Sequence, residues 1–355
     1  MRVVAVVLLA LLCDAALAAA AEPSPELAAI IAGAKSEGRL ELSWSEGIIG
    51  GADSIATMHK DIAELFGVDL DIQYAPGPAP GMLGNKLRTE FQVGQKASTD
   101  IWIGTPQQVA PLLGTPMFRT IDWPKLLPGR ITPAIVEADG RALRFATSMP
   151  GILYNLKLAP QAAEVKATED LLKPEWKGKF ATPPYISGYE VLAAESVWGE
   201  ERALDFMRKL STQVQGLLNC GGEARLASGE FTALAMDCGG SGPNLKLYRG
   251  ILGLQVIPDN AQRRLNYLLV PANAAHPNAA TLATVYFSTE RGQALVRDLW
   301  GLDLYDYPES LIHAEMAALE KQGVTFRDIT ITWWLQQPHL GEISAKMAKI
   351  FAQAR

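Results

Sequence analysis

RLELSW at 39–44, DSIATMHKDIAELF at 53–66, VDLDIQY at 68–74 and DIWIG at 100–104 decide the fold of this chain. The first stretch alternates apolar and polar residues, as a half-buried strand does. The second carries Ile55, Met58, Ile62, Leu65 and Phe66 at helical spacing. The third reads as a strand again. Ala75–Gly81, rich in Pro and Gly, then leads into a helix over 82–93, and DIWIG reads as a strand stopped at Gly104-Thr105-Pro106. Strand, helix, strand, helix, strand in that order predicts an α/β protein with a mostly parallel sheet and helices on its faces.

A second set of units follows Met149-Pro150-Gly151. Strands are expected at 152–155, 179–182, 214–218, 232–237, 254–257 and 267–270, and helices at 187–198, 201–210 and 223–228. From 278 onward the chain reads as mainly helical, over 278–287, 290–299, 311–321 and 342–354, punctuated by Pro308, Gly323 and Pro338.

The chain opens with Arg2, an apolar run from Val3 to Leu12, and Ala-rich sequence offering Ala16-Leu17-Ala18 and Ala19-Ala20-Ala21. This pattern reads as a secretory signal peptide over 1–21, too short to remain as a membrane span. Leu12 precedes Cys13 where lipoprotein signals carry Gly or Ala, which argues against lipidation. Export and a periplasmic location are therefore expected. The remaining length exceeds what one core usually serves, so two lobes are expected. Apolar content of 48% and charged content of 20% describe an ordinary folded protein, and a net charge of −6 argues against nucleic acid as a partner. Past the signal only Cys220 and Cys238 remain, and an isolated pair in an exported chain reads first as a disulfide, the alternative being two buried thiols.

Five short stretches together carry a family resemblance: Ala34-Lys35-Ser36-Glu37-Gly38-Arg39-Leu40, Gly94 through Trp102 (GQKASTDIW), Trp176-Lys177-Gly178-Lys179-Phe180, Leu226-Ala227-Ser228-Gly229-Glu230 and His276-Pro277-Asn278-Ala279-Ala280. In that order, across about 34–300, they resemble the periplasmic solute-binding proteins of ABC importers, in the ferric-iron, thiamine, polyamine and phosphonate-related group. The resemblance implies a type II two-lobed fold with a hinge. One lobe would comprise 22–146 plus 265–305, the other 147–264 plus 306–355. It also implies a monomer that traps a small-molecule ligand between the lobes, needs no cofactor, and delivers the ligand to an ABC permease in the inner membrane.

Ligands of open α/β sheets bind beyond the carboxyl ends of strands and near helix N-termini. That rule selects Ser43, Trp44, Ser45 and Glu46 after the first strand and Thr105 after the third. In the second half it selects Tyr185, Ser187, Gly188, Tyr189, Asn219, Gly222, Arg225, Asp237 and Ser241, with Cys220 and Cys238 in the same loops. Each has an ordinary alternative. Gly-rich loops also make tight turns, Tyr185 and Tyr189 can pack between lobes, Arg225 can be a solvated helix charge, and Asp237 can pair across the lobes. An organic or phosphorylated anion fits the Ser, Thr and Gly loops. Glu46 and Asp237 favour an amine or zwitterion, and a metal chelate also fits.

Ferric-binding relatives carry adjacent tyrosines after the strand that corresponds to 232–237, where this chain has Cys238-Gly239-Gly240. Hard Fe(III) requires such oxygen ligands, so no protein-held metal is expected, and a ferric-iron transport protein is kept as an alternative. His59 falls inside a predicted helix and reads as a solvated helix position, and His276, His313 and His339 show no metal-ligand spacing. No catalytic residues are expected: HExxH and CxxC are absent, and Gly239–Pro243 (GGSGP) fails the nucleophile elbow at its last position. An exported enzyme or a sensory binding module on the same scaffold remains a further alternative.

Overall fold

The computed structural model describes residues 23–186, 188–239 and 241–353. The expected signal peptide, Ser187 and the side chain of Ser241 lie outside the described residues. The described strands are β1 Arg39–Trp44, β2 Asp71–Pro76, β3 Trp102–Gly104, β4 Val136–Glu137, β5 Ala142–Ser148 and β6 Ile152–Asn155, followed by β7 Ala181–Thr182, β8 Gly216–Leu217, β9 Ala233–Ala235, β10 Leu252–Gln255, β11 Gln262–Leu269 and β12 Arg327–Ile329.

They form two sheets. In the first, β1 and β2 run parallel from Arg39↔Asp71 to Trp44↔Pro76. A parallel Leu42–Ile101 bridge joins β1 to the segment that enters β3. β3 and β5 both pair antiparallel with β11, and β4 extends the sheet beyond β5. The second sheet has the order β10-β6-β9-β7-β8. There β7, β8 and β9 are parallel, and β6 runs antiparallel to both its neighbours, β9 and β10. Parallel pairing thus holds within each βα run. It gives way to antiparallel pairing at the strands that carry the chain between sheets, because a strand leaving one sheet for the other enters from the opposite end.

The alternation read in RLELSW is real: Leu40, Leu42 and Trp44 are buried while their neighbours face outward. The helix Ile55–Phe66 lays Met58 and Ile62 on them and ends at Gly67, whose left-handed φ of 63° closes the helix. A further helix of this core, Pro277–Ser288, is buried from Ala279 to its end. A second core begins on the opposite face of the first sheet, at Leu87, Trp102 and Phe118, and continues through Tyr154, Tyr189 and Phe206 into the second sheet.

The chain passes between sheets at 149–151, joining β5 to β6, and at 256–261, joining β10 to β11. Its carboxyl-terminal part makes a third bridge. β12 pairs with the start of β11, the helix Ile331–Leu335 packs near the helix Pro106–Val109, and the helix Leu340–Gln353 packs on the helix Glu200–Ser211. Residues 327–335 therefore sit with the first sheet, while 340–353 lie against elements of the second. The helix expected over 187–198 is instead a 3₁₀ turn, Glu190–Ala193, with the long helix starting at Glu200. Val191, Leu192, Ala193 and Ala194 are all buried there.

Candidate functional site: two walls at the carboxyl ends of parallel strands

The first wall is built at the ends of β1, β2 and β3. Ser43 is fixed by its N–H, which donates to Thr99 Oγ1 at 3.0 Å. Trp44 is buried and its ring lies 5.7 Å from that of Tyr74, whose hydroxyl donates to the Trp44 carbonyl at 2.8 Å. Ser45 Oγ donates to the Pro78 carbonyl at 3.1 Å, tying this loop to the start of the helix Pro80–Gln92. Glu46 is exposed, and its charge, after burial, raises the pKa of Tyr74. Thr105 opens the helix Pro106–Val109, with its N–H donating to Gln108 Oε1 at 3.0 Å. Trp102 Nε1 donates to the Pro80 carbonyl at 3.0 Å, which closes the group.

The second wall lies at the same ends of the parallel strands β7, β8 and β9. Cys220, in the loop after β8, and Cys238, after β9, form a disulfide with Cα atoms 5.6 Å apart, so the covalent reading of the pair is the one the structure bears. Since β7 lies between those two strands, the bond spans its end. Tyr185, in the loop after β7, completes the wall: its hydroxyl accepts from the Cys220 N–H at 3.0 Å and lies 3.8 Å from Cys238 Sγ. The ring remains 46% exposed while the hydroxyl end is tucked in. Burial raises the pKa of this hydroxyl, the Cys220 N–H pulls it back, and the Asp237 and Glu223 carboxylates raise it further, so it stays protonated at neutral pH.

Asp237 is buried, accepting from the Gly239 N–H at 3.3 Å, and Asn219 and Gly222 flank the disulfide loop. Gly188 stands behind the wall. Its φ is +78°, and a side chain there would run into Met236 Cε at 2.6 Å. Two selected residues lie elsewhere. Tyr189 is 1% exposed and packs with its ring 6.0 Å from Phe206, inside the core. Arg225 is exposed, its guanidinium engaged by both oxygens of Glu230 and lying over the Phe231 ring. Arg225 is thus a helix charge at the surface, and Tyr189 a core side chain.

Both walls reach the carboxyl end of the helix Glu290–Trp300. A Cβ on Gly50 would lie 3.1 Å from Leu299, Asn244 Nδ2 donates to the Gly301 carbonyl at 3.2 Å, and Lys246 pairs with Asp298 at 3.6 Å. Sequence reasoning missed Glu223, which is buried at the first position of the helix Glu223–Ala227, directly after Gly221-Gly222, and acts on both Tyr185 and Tyr248. It also missed Tyr74. A glutamate following a glycine pair at a strand end was the available signal for the first. Among the described residues no group of three or more His, Cys, Asp and Glu side chains is placed to hold a metal ion.

No family model matches the sequence, and no curated protein matches it. In three dimensions the likeness is extensive. The substrate-binding protein of an ABC transporter from Agrobacterium tumefaciens superposes with a TM-score of 0.68 at 14% identity, over 88% of this chain and 94% of that one. Apo ferric ion-binding protein A of Pasteurella haemolytica gives 0.64 at 14% identity, over 89% and 98%. The periplasmic binding protein AfuA from Actinobacillus pleuropneumoniae, solved with exogenous fructose-6-phosphate bound, gives 0.63 at 14% identity, over 89% and 97%. The chain therefore has the two-lobed α/β fold of periplasmic substrate-binding proteins.

Proposed function

We propose that this chain is the extracytoplasmic substrate-binding component of an ABC importer, an exported monomer that captures a small polar solute and hands it to a permease without transforming it. The observation that carries the reading is the pair of walls, one at the carboxyl ends of β1–β3 and one at those of β7–β9, on a scaffold whose sheets are joined by crossing segments. We divide the lobes at 149–151 and 256–261. Closure around a solute that contacts both walls is the mechanism: moving a hinge from 1:99 to 99:1 takes about 5.5 kcal/mol of differential binding. Several charge-assisted hydrogen bonds supply energy of that order.

The solute class we favour is a hydroxylated organic or phosphorylated anion. Its hydroxyls would donate to Glu46, Asp237 and Glu223, and its anionic group would meet the Thr105 hydroxyl and backbone N–H donors of Ser45, Gly221 and Glu223. A ferric-iron role has less support, because the loop after β9 carries the disulfide-bonded Cys238 and Gly239 where adjacent tyrosines would be needed. A chelate that brings the metal's own ligands remains within the class.

The test is a thermal-shift screen of the mature chain against sugar phosphates, phosphonates, carboxylates, polyamines and ferric chelates. A true solute at 100 times its dissociation constant adds about 2.7 kcal/mol of stability. Ser45→Ala and Tyr185→Ala, one on each wall, should each weaken binding of that solute, read as a smaller ligand-induced shift relative to each variant's own ligand-free melting point. Stabilisation by no member of the panel would refute the reading, and unaltered affinity in both variants would refute the placement of the site.

A further inference from the structure

The four residues after β9 touch more than the cleft. Met236 holds a left-handed φ of +53°, a conformation that costs a non-glycine residue about 1–3 kcal/mol and persists only where its surroundings fix it. The surroundings are the two segments that join the sheets. On the first crossing, the Asp237 N–H donates to the Gly151 carbonyl at 3.0 Å and the Met149 N–H points to the Gly239 carbonyl at 3.5 Å. Gly239, with φ of +144°, lies so close to β5 that a Cβ on it would stand 2.2 Å from Ser148 Cβ.

On the second crossing, Asn260 Nδ2 lies 3.7 Å from Met236 Sδ. Gln262 Nε2 donates to the Gly188 carbonyl at 2.7 Å, and Gly188 has room for no side chain because Met236 fills the space. The far side of the same four residues is bonded through Cys238 to Cys220 and rests on Tyr185.

We infer that Met236–Gly239 is the positioning element that ties the second cleft wall to both crossings, and that the Cys220–Cys238 bond makes the loops after β7, β8 and β9 move as one body with it. The role in solute capture rests on the transport reading above. The mechanical coupling does not. A displacement of the disulfide-bonded rim is delivered to 148–151 through backbone hydrogen bonds and to 260–262 through Met236, so the hinge responds to the wall as a unit.

Hydrogen exchange of the ligand-free mature protein tests this without any solute. A water-soluble trialkylphosphine opens the bond: the disulfide takes two electrons from phosphorus and two protons from water, whose oxygen leaves as phosphine oxide. Exchange in peptides covering 148–151 and 260–264 should then rise about tenfold, equivalent to ~1.4 kcal/mol of lost protection. The helix Pro25–Glu37, remote from the cysteines in the first lobe, should not change. Gly239→Ala keeps the bond and pushes the loop off Ser148, so it should raise exchange at 148–151 while sparing 218–222. A rise confined to the cysteine loops, a rise everywhere including Pro25–Glu37, or a folded Gly239→Ala protein with normal exchange at 148–151 overturns the inference. If Gly239→Ala fails to fold, the reduction arm decides. Failure of every solute in the thermal-shift panel would remove the transport reading and leave the exchange result standing.

Discussion

The two walls are secured by different means. The first depends on buried side chains that satisfy backbone groups. Asp100 accepts from the Glu41 N–H at 2.7 Å, the His276 N–H at 3.1 Å and His276 Nδ1 at 2.8 Å, and Thr99 Oγ1 holds Ser43 and donates to the Ile101 carbonyl at 2.8 Å. These partners come from distant parts of the chain, so the wall is as firm as the lobe's own core. The second wall stands on strands of two or three residues, β7, β8 and β9, whose ends gain little from so short a ladder. There a covalent bond does what the Asp100 and Thr99 side chains do in the first wall. The difference teaches that a cleft rim on short strands is fixed by a cross-link, and one on longer strands by capping of its amides.

Breaking the junction between the walls should have the largest effect. Glu190, fully buried beside Gly188, pairs with Arg264 on β11 at 3.2 Å. Arg264→Leu strands that carboxylate and should cost about 4 kcal/mol in urea unfolding at neutral pH. Burial already pushes the Glu190 pKa up, with Arg264 pulling it back. Its folded form therefore holds a proton more tightly than the unfolded chain does, and the variant's deficit should shrink as pH falls and grow as it rises. A deficit independent of pH would place the charge elsewhere.

Removing the cross-link comes next. Cys220→Ser with Cys238→Ser opens a bond of sequence separation 18, worth roughly 3 kcal/mol by chain entropy. Calorimetry should show the loss, and a variant as stable as the parent would mean that the second wall is held without it. In the first wall, Asp100→Ala leaves buried N–H groups of Glu41 and His276 unsatisfied and should cost about 2 kcal/mol. Equal stability would contradict the capping account.

The smallest effect is expected in the second lobe at Asp170, which accepts from the Lys166 and Ala167 N–H groups at 3.0 and 2.9 Å and pairs with Lys173 at 2.8 Å. The Lys173 ammonium and those two N–H groups lower its pKa to about 2. Asp170→Ala should cost ~1 kcal/mol. Because the folded pKa is depressed, that contribution is present above the ordinary carboxylate range and fades as pH falls through it toward about 2. The parent and variant should converge in acid.

Much of the first sheet was legible because its strands have one wetter face: Leu40, Leu42 and Trp44 alternate with exposed or half-buried neighbours. β5 was not foreseen and β11 was seen only at its end. Both are buried along nearly their whole length, so ALRFATS and QRRLNYLL carry no alternation. At the site, loops after strands could be read from their Gly, Ser and Pro content, and the cysteine pair announced its bond. Individual side chains could not be assigned so well. Arg225 lies on a short helix whose face is set by Phe231 and Glu230, and Tyr189 is drawn inward by Phe206, contacts that no local pattern specifies.

The central claim is that the two walls close on a solute. Small-angle scattering of the oxidised mature chain, with and without saturating amounts of whichever panel solute gives the largest thermal shift, tests it most directly. The account predicts a smaller radius of gyration and maximum dimension in the complex. Superimposable curves at demonstrated saturation would contradict it.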